Sequence, residues 1–459
     1  GDDGELTLTG SSLLSGAFRV IDGVLTLEAQ SNNAEVLADT MWVAVGSQGT
    51  LQVKTDETLR ALGDNTGSTA NTNGADGVEG DASTGEGLVV IDNGIILSIG
   101  TDGSFDTAFS GQITGGSTLN SGGSLHKIGS NTIRLANAAS DSVSGNDFTG
   151  TTKVLGGRLI VDGEGIGDLS MVTVDGDGKL ELTASEEIGS LETDASDGDT
   201  SGNEENAEVV LTGGSTVLIT GGNNLSTTFK GLISGEGGVH KIGNYTFTVD
   251  RGSDSQNTFS ADLTIEEGTV ELAGGGAIAD STSVVLERPD SGKNVKLLVR
   301  ASEEINSLSS DTPWDEGSDT AGQTTVVEIA SNQTLKLDDR SDATYYGQIT
   351  GAGGLEKIGT ATFTLDNYGI DTEADSPYRG NTETAHESHY TGATDIKAGT
   401  LIATGHSIGD QSAVTIYGGA TLQLNGTEEI GSLASADTGS QQANVVIELA
   451  GTAGDTGAD

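Results

Sequence analysis

Three pairs of adjacent glutamates, Glu186-Glu187, Glu303-Glu304 and Glu428-Glu429, are the first residues in this chain whose types could do chemistry. Two carboxylates flanking a glycosidic bond can act as general acid and base. Adjacent residues on a strand, however, point to opposite faces, so such a pair does not converge on one substrate. Each pair reads instead as an exposed turn leading into a buried Ile-x-x-Leu, as in Ser185-Glu186-Glu187-Ile188-Gly189-Ser190-Leu191. His386 and His389 have a spacing that suits a metal on a helix. The segment Asp371 to Ser388 around them carries Pro377 and Gly380 without a helical period, and reads as a solvated loop. Lys127, Lys241 and Lys357 occupy one recurring position and read as turn lysines bridging acidic neighbours, with an anionic partner as the alternative. His126 and His240 precede the first two lysines and Glu356 the third, which predicts an exposed position.

Acidic loops offer better binding chemistry, since hard oxygen donors suit a hard cation. Asp194, Asp197, Asp199, Glu204 and Glu205 in one loop, and Asp311, Asp315, Glu316 and Asp319 in another, are the candidate calcium ligands. Neither loop has the spacing of an EF-hand or of a Gly-Gly-x-Gly-x-Asp array, and a solvated acidic coat is the competing reading. Trp314 lies in the second loop as a candidate contact residue. No motif requires a cofactor.

The elements that must position these residues are announced by repetition. Gly123-Ser124-Leu125-His126-Lys127-Ile128-Gly129 returns as Gly238-Val239-His240-Lys241-Ile242-Gly243 and as Gly354-Leu355-Glu356-Lys357-Ile358-Gly359. The glutamate marker keeps the same beat, with a blurred copy at Asp56-Glu57-Thr58-Leu59-Arg60-Ala61-Leu62. A third marker runs Phe109-Ser110-Gly111-Gln112-Ile113-Thr114-Gly115, then Phe229-Lys230-Gly231-Leu232-Ile233-Ser234-Gly235, then Tyr346-Gly347-Gln348-Ile349-Thr350-Gly351. A fixed period of about 115 residues is the signature of stacked repeats that bury their apolar faces against neighbours. The units are 1–124, 125–238, 239–354 and an incomplete 355–459, read together as one elongated body of 459 residues.

Apolar residues alternate in short runs, and the pattern predicts Leu159, Val161, Val172, Val174, Leu180, Leu182, Val217 and Ile219 pointing inward from strands. Glycine contributes 71 residues and proline 3, so turns fall to Gly, Asn and Asp, and no helical period is sustained. The fold class is therefore all-β, a parallel β-helix or β-solenoid. With 69 acidic against 20 basic residues the formal charge is −49, which repels nucleic acid phosphates and anionic lipid headgroups and excludes a nucleic-acid role. Cysteine is absent, which excludes disulfides and thiolate metal sites. No apolar stretch of about 18 residues offers membrane insertion by this segment. Beginning at Gly1, the chain reads as a processed or trimmed segment.

Gly353-Gly354-Leu355-Glu356-Lys357-Ile358-Gly359-Thr360-Ala361-Thr362-Phe363-Thr364-Leu365, continued by His389-Tyr390-Thr391-Gly392-Ala393-Thr394-Asp395-Ile396-Lys397-Ala398-Gly399-Thr400-Leu401, resembles the passenger-associated transport repeat of bacterial autotransporters. The same pattern runs from Gly122 to Ile160 and from Gly237 to Glu271. The resemblance implies a right-handed parallel β-helix, exported and displayed at the bacterial cell surface or released outside it. The expectation is a non-enzymatic structural or adhesive protein with homotypic or cell-surface and matrix partners. The alternatives are a polysaccharide lyase or hydrolase on the same scaffold, and an inert stalk or filament subunit. Fold alone does not choose among them.

Overall fold

The computed structural model describes residues 4–10, 16–30, 35–64, 87–101, 106–116, 121–137, 145–193, 203–252, 255–287, 293–310, 325–367, 387–426, 428–436 and 442–448. Among them the chain is all-β, with short strands paired in parallel, one 3-10 turn at Asn203–Asn206 and no α-helix. It is the expected parallel β-solenoid. Two compact units are distinguished, Gly1–Phe247 with Asn257–Ala261, and Thr248–Gln256 with Asp262–Asp459.

In the first unit two six-stranded sheets run side by side through successive coils. One contains Glu57–Leu59, Ile96–Ile99, Ser124–Lys127, Thr151–Val154, Met171–Val174 and Ser190–Glu192. The other contains Thr107–Phe109, Thr132–Leu135, Gly157–Val161, Gly178–Leu182, Glu208–Leu211 and Leu232–Gly235. The second unit holds an equivalent pair, from Glu303–Ile305 to Ser432–Ala436 and from Ala343–Tyr345 to Asn444–Glu448. Stacking in register sets like on like: Leu159 lies beside Leu180, and Leu180 beside Val209, all fully buried. The apolar ladder removes these side chains from water at roughly 1.5–3 kcal/mol each.

The inward set is as predicted for Leu159, Val161, Val172, Val174, Leu180 and Leu182. Val217 and Ile219 are corrected: their strand is Val217–Thr220, with Leu218 and Thr220 inside and the predicted pair outside. The run Val217-Leu218-Ile219 is apolar without a break, so composition carries no phase. Stacking supplies it, placing Leu218 between Glu186 and Val239.

Two of the three recurring markers, the glutamate and the aromatic one, prove to be seams. At the glutamate marker Glu186–Ile188 pairs with the following coil, Val217–Thr220, while Ser190–Glu192 pairs with the preceding Met171–Val174. Glu57–Leu59 with Ala61–Asp64, and Glu303–Ile305 with Ser307–Ser310, divide their pairing in the same way. The aromatic marker repeats the device: Thr107–Phe109 pairs forward with Thr132–Leu135, and Gln112–Thr114 pairs back with Leu88–Ile91. One sheet thus ends and the next begins within a single run of about seven residues, which accounts for the long period. In the third copy the buried aromatic is Tyr345, not Tyr346. The ring leans over the glycine two positions on. A Cβ at Gly111, Gly231 or Gly347 would lie within 2.6 Å of the ring or hydroxyl of Phe109, Phe229 or Tyr345.

Candidate interaction surface

The first glutamate of each marker pair is not an exposed turn residue. Glu57, Glu186 and Glu303 are buried and Glu428 is half-buried, because alternation places the first residue of Glu-Glu-Ile on the same inner face as the isoleucine. Each carboxylate crosses to the preceding coil and accepts successive backbone N–H groups. Glu57 takes those of Val36 and Leu37 at 2.9 and 2.7 Å, Glu186 those of Gly165 and Ile166 at 3.2 and 2.6 Å. Glu303 takes those of Gly276, Ala277 and Ile278, and Glu428 those of Ser407 and Ile408. The receiving turn is a motif that the sequence reading missed: Leu37-Ala38-Asp39-x-Met41 in loose form, then Ile166-Gly167-Asp168-x-Ser170, Ile278-Ala279-Asp280-x-Thr282 and Ile408-Gly409-Asp410-x-Ser412. Its recurrence about one coil before each glutamate pair was the available signal.

Burial pushes the Glu186 carboxyl up to about 8, against its two N–H donors and with repulsion from Asp168 and Glu164. The same cause raises Glu57, Glu303 and Glu428 to about 7, each with an acidic neighbour in the receiving turn: Asp39, Asp280 or Asp410. Successive N–H groups aimed at an oxyanion form a nest, and here the chain fills its own nests.

The marker lysines are fully buried as well. Lys127 donates from Nζ to the carbonyls of Ile128, Gly129 and Gly156 at 2.7, 3.0 and 3.0 Å. Lys241 donates to those of Ile242 and Gly243. Their turns depend on Gly129 and Gly243, at φ 68° and 71°, where a side chain would be strained. Lys357 donates to Gly359 and pairs with buried Asp339 at 3.2 Å. The lysines therefore serve the turn from inside, all three through carbonyls and Lys357 also through the expected acidic neighbour. His126 and His240 are half-buried rather than exposed. Burial pushes His126 down to about 4, with Lys153 adding repulsion against the pull of Asp56.

What remains outside is a set of side-chain ladders. In the first unit Arg158 pairs with Glu181 and Lys179 with Glu208 at 2.9 Å. In the second, Lys296 pairs with Glu328 at 2.6 Å and Arg300 with Glu271 at 3.5 Å. The sheet of Ala343–Tyr345 to Asn444–Glu448 breaks this pattern. Outward on its middle strands stand Thr362 and Thr364, Thr400 and Ile402, Thr421 and Gln423, all half-buried and in register. Thr421-Leu422-Gln423 takes the place of Lys179-Leu180-Glu181, and Thr50-Leu51-Gln52 does so in the sheet that begins at Glu5–Leu8.

Of the calcium candidates, Glu204 and Glu205 are described. Glu204 is held by Lys230 at 2.6 Å, and Glu205 is exposed on the 3-10 turn. Asp194, Asp197, Asp199, Asp311, Asp315, Glu316 and Asp319 lie outside the described residues, as do Trp314 and His386. His389 is exposed between buried Ser388 and Tyr390. No helix among the described residues is long and apolar enough to cross a membrane. No protein family matches the chain, and neither a curated protein nor a solved structure matches it.

Proposed function

We propose that this chain is an exported, surface-displayed or secreted structural protein of the autotransporter passenger type, and that it acts in adhesion by self-association. The observation that carries the reading is how the recurring charged residues are used. The inner glutamates hold backbone N–H groups and the marker lysines hold carbonyls. The charges that recur with the repeat thus support the stack of coils, and the outer ladders are left as the surface that meets a partner. Repeated, in-register ladders suit repeated contacts between copies of one chain.

Sedimentation velocity and light scattering on the purified chain, across protein concentration at near-physiological salt, test this reading. Reversible growth of assemblies with concentration is the expected result. A chain that stays monomeric throughout while degrading a polysaccharide would replace the adhesive reading with the enzymatic one.

A further inference from the structure

We infer that the uncharged outer face of the last sheet, centred on Thr364, Thr400, Ile402, Thr421 and Gln423, is the surface on which a second copy of this chain docks. The inference rests on the self-association reading and names its surface and partner. With a formal charge of −49, two copies repel wherever their carboxylates face each other. Approach is cheapest where a face carries no net charge and has no ion pair to strip of water.

The equivalent sheets show that this neutrality is not imposed by the fold. Where the last sheet has Thr400 and Thr421, the first unit has Arg158 and Lys179, each paired with a glutamate on the next strand. Where it has Gln423, the first unit has Glu181, so both outward charges of that strand are replaced by uncharged side chains. Asp366 and Glu448 occupy the first and last places of one edge row, in register through Thr404 and Asn425, and bound the uncharged centre of the face. The face offers hydroxyls and amides on a lattice of about 4.8 Å between strands and roughly 6.8 Å between alternate residues. Two like faces related by a twofold axis present the same lattice to each other.

Five strands at about 4.8 Å, each contributing roughly 14 Å, give on the order of 300 Å² per face. A stable dimer needs about 800 Å² per partner, so one such contact is weak. The chain carries a second patch of uncharged residues, Thr50, Gln52, Leu88 and Val90, in the sheet beginning at Glu5–Leu8, with Asp92 at its edge accepting from Gln52 at 3.4 Å. Two weak faces per chain make association steeply dependent on concentration.

The test is the double variant Thr50→Glu/Gln423→Glu, one added carboxylate on each patch; at Gln423 the change is isosteric and of a residue type that Glu181 already shows to fit. Gln411→Glu, at an exposed position outside the ladders, adds charge as the control. Far-UV circular dichroism and melting confirm that each variant is folded. Sedimentation velocity of the full chain is expected to show wild type and Gln411→Glu associating alike. The double variant should need about tenfold more protein for half-association. Association of the double variant at the control's concentration would overturn the assignment of this face and leave self-association standing. A wild-type chain that never associates would overturn the reading on which the inference rests.

Discussion

Glu186 illustrates how a repeated carboxylate is used as backbone. Removing it by Glu186→Ala leaves the N–H groups of Gly165 and Ile166 buried without an acceptor, besides a cavity. A loss of about 2–4 kcal/mol is expected in urea denaturation. The pH dependence follows from the raised carboxyls. An unfolded glutamate releases its proton near 4.5, while Glu57, Glu303 and Glu428 hold theirs to about 7 and Glu186 to about 8. Between these limits the folded state binds more protons at these four sites, so their contribution to stability rises as pH falls from about 8 toward 4.5 and is flat below, while the single His126, lowered to about 4, opposes it below about 6.5. Urea midpoints measured from pH 5 to 8.5 should show this slope. Replacing the four glutamates by glutamine should flatten it, and an unchanged slope would place the titration elsewhere. Lys357 and Asp339 make a second case. Asp339→Ala strands a buried ammonium and should cost about 3–5 kcal/mol, and adding Lys357→Met should recover much of that.

At the scale of the element, the aromatic seam depends on contact between ring and glycine. Gly231→Ala would set its Cβ 2.5 Å from the carbonyl oxygen of Ala207 and 2.6 Å from the Phe229 ring. Backbone and buried ring would both have to shift, and a loss of about 2 kcal/mol is expected from thermal melting. The sequence showed that this marker mattered without showing why. Alternation located most strands and the inward faces of Leu159 and Val172, since period-2 burial is a local property. It did not reveal that Glu186–Ile188 and Ser190–Glu192 belong to different sheets, because pairing is decided a coil away. The buried ends of Glu186 and Lys127 were hidden for the same reason: their partners are Ile166 and Gly156, on neighbouring coils. The neutral ladder was present in the letters Thr421-Leu422-Gln423 but acquired meaning only when stacking set it against Lys179-Leu180-Glu181.

For the whole molecule, charge is the dominant long-range quantity. At −49, like charges within a Debye length oppose compaction and contact alike. Raising sodium chloride from about 20 to 500 mM should therefore raise both the melting temperature and the extent of association. Calcium compared at matched ionic strength separates screening from coordination. A larger response to calcium, lost when the carboxylates of the Glu192 to Glu205 segment are changed to amides, would show oxygen coordination. Equal responses would leave screening alone.

The seams carry a mechanical consequence. In the first unit the seam at Glu186–Glu192 is flanked by Gly178–Leu182 and Glu208–Leu211, which pair directly. The seam at Thr107–Thr114 is spanned in turn by the pairing of Ile96–Ile99 with Ser124–Lys127. In the second unit Thr334–Leu337 and Gly354–Lys357 likewise bridge the seam at Ala343–Gly351. The joints are staggered as in a wall of overlapping bricks, and a crack that enters one course runs into an unbroken course beside it.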